Sequence, residues 1–479
     1  MENYLISVDM GGSKVTAALG LLSHQGETIL VDAVTQPMSG FNKGEVTNIE
    51  HVTTAIRSAV TELERRHDVK ASEVWVSVSG KHIVCADNSG FVFVGGVDGE
   101  ITEKDVDKLH ENMNNVQAPE GKVILTRYPQ NYKVDSNETL GSPIGRFGHR
   151  LETKFSFILA GKSVLDRITK ALERAKLGTP HFVSGAIASA TVVATEQEKE
   201  SGVVVIDFGA DATDLCIIQN NIVRYVASIP MGSSAINKDI STAAIPQGKI
   251  EMLKTRCGYA TASAIPADKI NKAVRINTHL PSQKSKEITY RDLTTIIYAR
   301  MLDIIEYVNA EIKASGFHNR LPGGIVLTGG GSQLGGIEVI FKEHTGYDVR
   351  LGSAECNISG ESMKGYSQPE LACAIGLLSI GMEESGLISS DYSRPEPAEP
   401  TEKVVVEPPV VPTPTTPSTP TTTPTDGPTD KPEGPATTPD GPIGQPDGPT
   451  DPPTPKGKKL LKWLHDRVFG PDVEDDDFQ

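Results

Sequence analysis

Three glycine-bearing turns hold the residues of this chain whose types and spacing could do chemistry. In YLISVDMGGSKVTAALG an apolar run ends at Asp9, Gly11 and Gly12 turn, Ser13 and Lys14 follow, and a second apolar run returns. In VVVIDFGADATDLCII the run from Val203 ends at Asp207, turns at Gly209 and returns through Thr213 and Asp214. In GGIVLTGGGSQLGG a strand-like run delivers Gly329, Gly330, Gly331 and Ser332 to the start of a helix expected over Ile337 to Lys342. Glycine lets backbone N–H groups approach an anion closely, and small hydroxyl residues such as Ser13 and Thr213 add donors. A carboxylate closing each first strand would repel phosphate, so Asp9 and Asp207 are expected to hold a hydrated Mg²⁺ through water while the turns hold the anion. Lys14 adds a charge contact. The third turn, free of side chains, leaves room for an adenine and ribose against the backbone. It lacks the Gly-Lys-Ser/Thr of a Walker A loop and the first-strand G-x-G-x-x-G context of a dinucleotide fold.

An Asp-Gly turn between strands is by itself the commonest hairpin signal and is usually structural. Two such hairpins on one plan, with Asp9 matching Asp207, predict two related halves of one molecule. The elements around them agree: up to about residue 390 β-rich runs alternate with helical stretches, which indicates α/β layers. A chain of 479 residues exceeds what one core usually supports, so at least two domains are expected. A net charge of -16 argues against general nucleic-acid binding, which needs a dense basic surface. Cys85, Cys216, Cys257, Cys356 and Cys373 are scattered and without C-x-x-C spacing, which disfavours a disulfide framework and a zinc site and fits a reducing compartment. The N-terminus has no signal-peptide pattern and no run is long enough to span a bilayer, so a cytoplasmic protein is expected.

The texture changes at residues 394–455, a Pro/Thr/Asp/Gly-rich stretch that cannot bury enough apolar surface to fold and is read as a disordered spacer. After it comes KGKKLLKWLHDRVFG. At about 100° per residue, Leu460, Leu461, Trp463, Leu464 and Val468 share one arc opposite Lys458, Lys459 and Lys462. Such a helix, 456–470 with Arg467 and Phe469 near its end, suits the interface of an anionic leaflet. Docking on its own domain or in a partner's groove are the alternatives. A coil as long as the spacer reaches on the order of 45 Å, more than a helix meant for its own core needs. The tail 471–479 is acidic and expected to be solvated.

Two Asp-Gly hairpins followed by a late TGGG turn resemble the actin, hexokinase and 70-kDa chaperone ATPase superfamily. Within it VSVSGKHI (Val76 to Ile83), GEITEKDV (Gly99 to Val106), RYPQNYKVD (Arg127 to Asp135) and PIGRFGHRLE (Pro143 to Glu152) resemble the subdomain peculiar to the FtsA family of division proteins, as does the terminal basic helix after a variable linker. The resemblance implies an actin-like, ribonuclease H-like α/β fold of two lobes. The first lobe would occupy 1–83, 163–200 and 356–393, with the extra subdomain at 84–162. The second would occupy 201–235 and 301–355, with an upper subdomain at 236–300. It also implies ATP with Mg²⁺ as cofactors. Asp9, Gly11, Gly12, Ser13 and Lys14 would form the first phosphate loop, and Asp207, Gly209 and Thr213 the second. Glu251 and Lys254 would lie at the ribose and base, and Gly329, Gly330, Gly331 and Ser332 would seat the adenosine. GAIASATVVA and PELACAIGLLSIG look like the helices connecting the lobes. At Glu251 and Lys254 a surface ion pair at helical spacing is the plain alternative.

By the same resemblance the protein is expected to polymerise at the cytoplasmic face of the inner membrane, at the division site. There it would tether the tubulin-like FtsZ through its C-terminal tail, with Arg300 as candidate contact, and recruit later division proteins through the extra subdomain. Two departures stand out: Ala210 and Asp211 replace glycines of the family's second loop, and Gly185 stands where hydrolysing bacterial actins tend to carry a glutamate. Glu196 and Asp211 are the only alternative bases in view, so ATP binding is expected more firmly than turnover. A sugar kinase of the same fold would need an acceptor-site aspartate, for which no motif is found. A pilus or cell-shape ATPase such as PilM or MreB would lack either the extra subdomain or a tether of this length.

Overall fold

The computed structural model describes residues 4–22, 28–96, 98–139, 141–276, 285–354, 358–359 and 366–385. The spacer 394–455, the helix expected over 456–470 with all its membrane-facing candidates, and the acidic tail 471–479 lie outside the described residues.

Two sheets repeat one plan. In the first, the meander Tyr4–Met10, Lys14–Leu22 and Thr28–Pro37 is antiparallel, and Glu73–Val78 and Thr179–Ser184 add on in parallel beside Tyr4–Met10. In the second, Val203–Phe208, Thr213–Gln219 and Ile222–Ile229 form the meander, and Ile325–Thr328 and Val349–Leu351 add on in parallel beside Val203–Phe208. Both first strands are central, flanked by a hairpin partner and a parallel neighbour, and side chains on both of their faces are buried. That is why Val203 to Ile206 read as a continuous Val/Ile run rather than an alternation, each no more than 1% exposed.

Helices cover these faces. Ile49–His67 starts where the Asn48 side chain accepts from the N–H groups of Glu50 and His51. It ends where Asp68 takes a left-handed conformation, φ 52°. Gly185–Val193 and Ala372–Glu384 are apolar all round and almost wholly buried, as helices wedged between layers must be. Their backbones approach so closely that a Cβ on Gly376 would sit 1.8 Å from the Ala188 carbonyl oxygen, a contact only glycine permits.

Between Glu73–Val78 and Lys162–Arg174 a four-stranded antiparallel sheet, ordered Val84–Phe93, Arg150–Gly161, Lys122–Val134 and Asn137–Thr139, carries the helix Glu103–Asn114. Its small core is Val92, Ile101, Leu109, Val134 and Leu151. Beyond the second meander come helices Ser233–Ser241 and Gln247–Cys257 and the short hairpin Ala273–Ile276 with Lys286–Thr289. The helix Tyr290–Ala314 then runs without a break through the boundary read at 300, because its buried side chains Leu293, Ile297, Met301, Ile304, Val308 and Ile312 keep helical spacing across it. Among the described residues no helix is long and apolar enough to cross a membrane.

Candidate functional site

The two hairpins and the late glycine turn converge on one cavity of about 420 Å³. Asp9, Gly11, Gly12, Ser13 and Lys14 line it from the first hairpin, Asp207 and Gly209 from the second, Glu251 and Lys254 from the helix Gln247–Cys257, and Gly329, Gly330 and Gly331 from the late turn. Phe208, Ala210, Ser233, Ile236, Thr255, Gln333, Leu334, Glu370 and Cys373 complete it.

Thr213 and Ser332, also expected here, are placed elsewhere. In the second hairpin Asp207 faces Asp214 across the strands, and Phe208 faces Thr213. Alternation along a strand therefore puts Thr213 on the face of Phe208, away from the aspartates. It is fully buried and its hydroxyl donates to the Met231 carbonyl at 2.7 Å. Ser332 is buried too, donating to the Gly329 carbonyl at 2.7 Å, and so closes the turn from within.

The same alternation brings in Asp214, and with it three serines that the motifs did not single out. Ser77 donates to Asp9 at 2.7 Å and Ser189 donates to Asp207 at 2.5 Å. Ser228 donates to Asp214 while accepting the Gly80 N–H at 2.7 Å. Each serine interrupts an apolar run, VWVSVSG, AIASATVV or YVASIP, and a hydroxyl buried in such a run needs a partner.

Burial dominates the electrostatics of this floor. It raises the Asp9 carboxyl above its ordinary value against the Ser77 hydrogen bond and the Lys14 charge. Burial, reinforced by Asp214 and Asp9, pushes Asp207 up to about 7. Asp214 is pushed up to about 6, again by burial first. The Cys373 thiol is raised by burial and by all three carboxylates. Burial of all three acids, with Asp9 adding to the shift of Asp207 and Asp214, makes a bed that a cation would relieve. Among the described residues no group of three His, Cys, Asp or Glu is arranged to grip a metal ion directly.

The late turn must be glycine for steric reasons. Gly329 has φ 83°, and a Cβ there would stand 2.1 Å from the Asp207 carboxylate, while one on Gly331 would stand 2.5 Å from the Phe208 ring. The turn thus rests its backbone directly on the end of the second hairpin. On the opposite wall Lys254, buried, pairs with Glu251 at 2.9 Å, and Asn237 donates to the same carboxylate at 2.6 Å.

Neither alternative base lines the cavity. Glu196 pairs with Lys199 at 2.9 Å on the short helix Glu196–Ser201. Asp211 packs on Gly12 of the first turn, where a Cβ would meet its carboxylate at 2.3 Å. A side chain at Gly185 would start 2.7 Å from the Ser79 hydroxyl and 3.7 Å from Asp214. A glutamate there would set another acid beside this floor. Arg300 lies away from the cavity, held by Asp239 at 2.6 and 3.0 Å in a fork and by Asp303 at 3.0 Å.

Comparisons with known proteins agree with this architecture. The family model described as "Cell division protein FtsA" matches residues 204–376, and that described as "SHS2 domain inserted in FTSA" matches residues 80–159, the region of the four-stranded sheet. The cell division protein FtsA of Neisseria meningitidis is 31% identical over 387 residues, covering 80% of this chain and 92% of that one. The FtsA of Pseudomonas aeruginosa is 29% identical, covering 83% and 95%. Among solved structures the PilM-PilN type IV pilus biogenesis complex matches with a TM-score of 0.54 at 15% identity, covering 80% of this chain and 98% of that one, a likeness of fold. The fold is actin-like, with an FtsA-type insertion.

Proposed function

The chain belongs to the FtsA family of cell division proteins, and on that premise we propose that it is an actin-like division protein that binds Mg-ATP, assembles with itself and tethers FtsZ to the cytoplasmic face of the membrane. The observation that carries the nucleotide part is the meeting of three glycine turns around one cavity above three pKa-raised aspartates. Phosphates would lie on the Gly11–Lys14 and Gly209 turns, adenosine on Gly329–Gly331, and the ribose and base beside Glu251 and Lys254. Asp9 and Asp207, with Asp214, would hold the hydrated Mg²⁺ that offsets the phosphate charge.

With glycine at 185 and no unengaged base among the described residues lining the cavity, the site is better built to hold ATP than to cleave it. Nucleotide then acts as a clamp between lobes, setting the geometry in which copies stack. A helix over 456–470 would carry few large apolar residues and bind a leaflet reversibly by itself; several presented by one filament would bind durably. The FtsZ tail would dock on the region 236–300, where an acidic residue must compete with Asp239 and Asp303 for Arg300. Later division proteins would use the subdomain at 84–162.

Co-sedimentation with anionic liposomes, with and without Mg-ATP, tests the reading. The full chain is expected to pellet, more so with ATP, and a chain ending at Pro455 to stay in solution. Equal partition of both chains into the supernatant would remove the membrane role and leave a protein-docking helix.

A further inference from the structure

Two carboxylates next to the proposed phosphate site have no task in binding phosphate. Glu370, at the entry to the helix Ala372–Glu384, lines the cavity and takes the Lys14 ammonium at 3.1 Å. The same carboxylate accepts the Gln333 side-chain amide at 3.1 Å and lies over Gly330. From the other side, the Asp211 carboxylate rests on the backbone of Gly12. The first turn would offer phosphate a cation at Lys14, which one acid of this chain already takes, and a second acid stands against Gly12 of the same turn. A fixed negative charge at such a position repels a polyphosphate, so an arrangement of this kind binds one only if the acids give way.

We infer that Glu370 and Asp211 are internal competitors for the first phosphate turn, occupying Lys14 and Gly12 in the empty cleft and displaced when Mg-nucleotide binds. The inference deepens the proposed nucleotide site and rests on it. The two acids are positioning residues for that binding and set its selectivity for ligands with enough phosphate charge to displace them. They also couple the site to the lobes. Lys14 belongs to the first sheet and Gln333 to the turn after the second sheet's late strand, so Glu370 bridges the two. Asp211, from the second hairpin, reaches the first hairpin at Gly12. Loading the phosphates removes both bridges and replaces them by one ligand that the two hairpins share.

The test is calorimetric titration of the full-length chain with ATP and with adenosine, in Mg²⁺ at fixed salt, for the wild type, Glu370→Gln, Asp211→Gly and the double variant. Removing one adjacent charge at a partly screened site should raise ATP affinity about threefold to tenfold, and the double variant should gain more than either single one. Adenosine, which has no phosphate, should show no such gain in any of the four chains. Because the expected change is a gain, a damaged fold cannot imitate it. Measurable but equal or weaker ATP binding in the double variant overturns the inference alone. A parallel gain for adenosine also overturns it, since that would report a loosened cleft. No binding of ATP by any of the four chains overturns the nucleotide reading and the inference together.

Discussion

Asp9 and Asp207 end equivalent central strands, yet the hairpins they belong to bring opposite chemistry to the cleft. The first follows its aspartate with Gly-Gly-Ser-Lys, offering amides, a hydroxyl and a cation. The second follows its aspartate with Gly-Ala-Asp-Ala and supplies a second carboxylate, Asp214, from the facing strand. The tip of the first hairpin thus carries the donors and the cation, and the second carries the surplus of carboxylate, although the backbone plan is the same. Duplicated architecture fixes where a turn stands, and the few side chains at its tip decide what it holds. The asymmetry also marks where the two turns touch: a Cβ on Gly12 would meet the Asp211 carboxylate of the opposite hairpin at 2.3 Å.

The largest loss is expected at the late turn that leans on the second hairpin. Gly329→Ala must force a left-handed backbone and a collision with Asp207 and Phe208, and should lower unfolding free energy by about 3 kcal/mol in urea titrations. Asp207→Asn, which keeps the shape but removes the charge beneath the cavity, should weaken Mg-ATP binding on the order of tenfold to a hundredfold, as loss of outer-shell support does elsewhere. Its effect on binding without Mg²⁺ should be much smaller, and a metal-independent loss would speak against the hydrated-ion role.

A pair of alanines sharpens the contact between hairpins. At Gly12 a Cβ meets the Asp211 side chain, whereas at Gly11 it meets the Lys14 backbone carbonyl at 2.7 Å. Each alanine should cost about 1–3 kcal/mol, but Asp211→Gly should restore stability only to Gly12→Ala. Rescue of both, or of neither, would contradict the contact.

The pH response reports the second hairpin's carboxylates. Their folded pKa values, about 7 for Asp207 and about 6 for Asp214, lie above the ordinary 3.8. The folded chain then binds more protons than the unfolded one between these values. Stability of the empty chain should therefore fall as pH rises from about 4 to about 7 and level off beyond. Binding Mg-ATP near pH 6.5 should release protons, visible as a buffer-dependent heat in calorimetry. A stability that rises over that window would show the acids to be charged in the empty cleft.

The smallest effect is expected where sequence and structure part. Thr213→Val removes a hydrogen bond to the Met231 carbonyl and should cost about 1 kcal/mol of stability with ATP affinity unchanged. Thr213 looked like a phosphate donor because it follows a glycine turn. Counting strand parity from the Asp207–Asp214 pair would have turned it to the other face, and the same count would have brought in Asp214. Ser77, Ser189 and Ser228 were visible only as hydroxyls inside apolar runs; that each would find an aspartate depended on which strand or helix lies next to which. Glu370 carried no local signal, since it meets Lys14 from more than three hundred positions away.

What the sequence determined alone was local: apolar runs ending in an acid, glycines that permit tight turns, and two hairpins on one plan. These follow from backbone sterics and burial, which act over a few residues. The tertiary structure decided which turns share a cavity, which face of a strand looks into it, how far burial lifts each carboxyl, and that two acids lie across the first turn. Those depend on distances between segments remote in the chain, and charge and desolvation respond to distance in space, whatever the order of the residues.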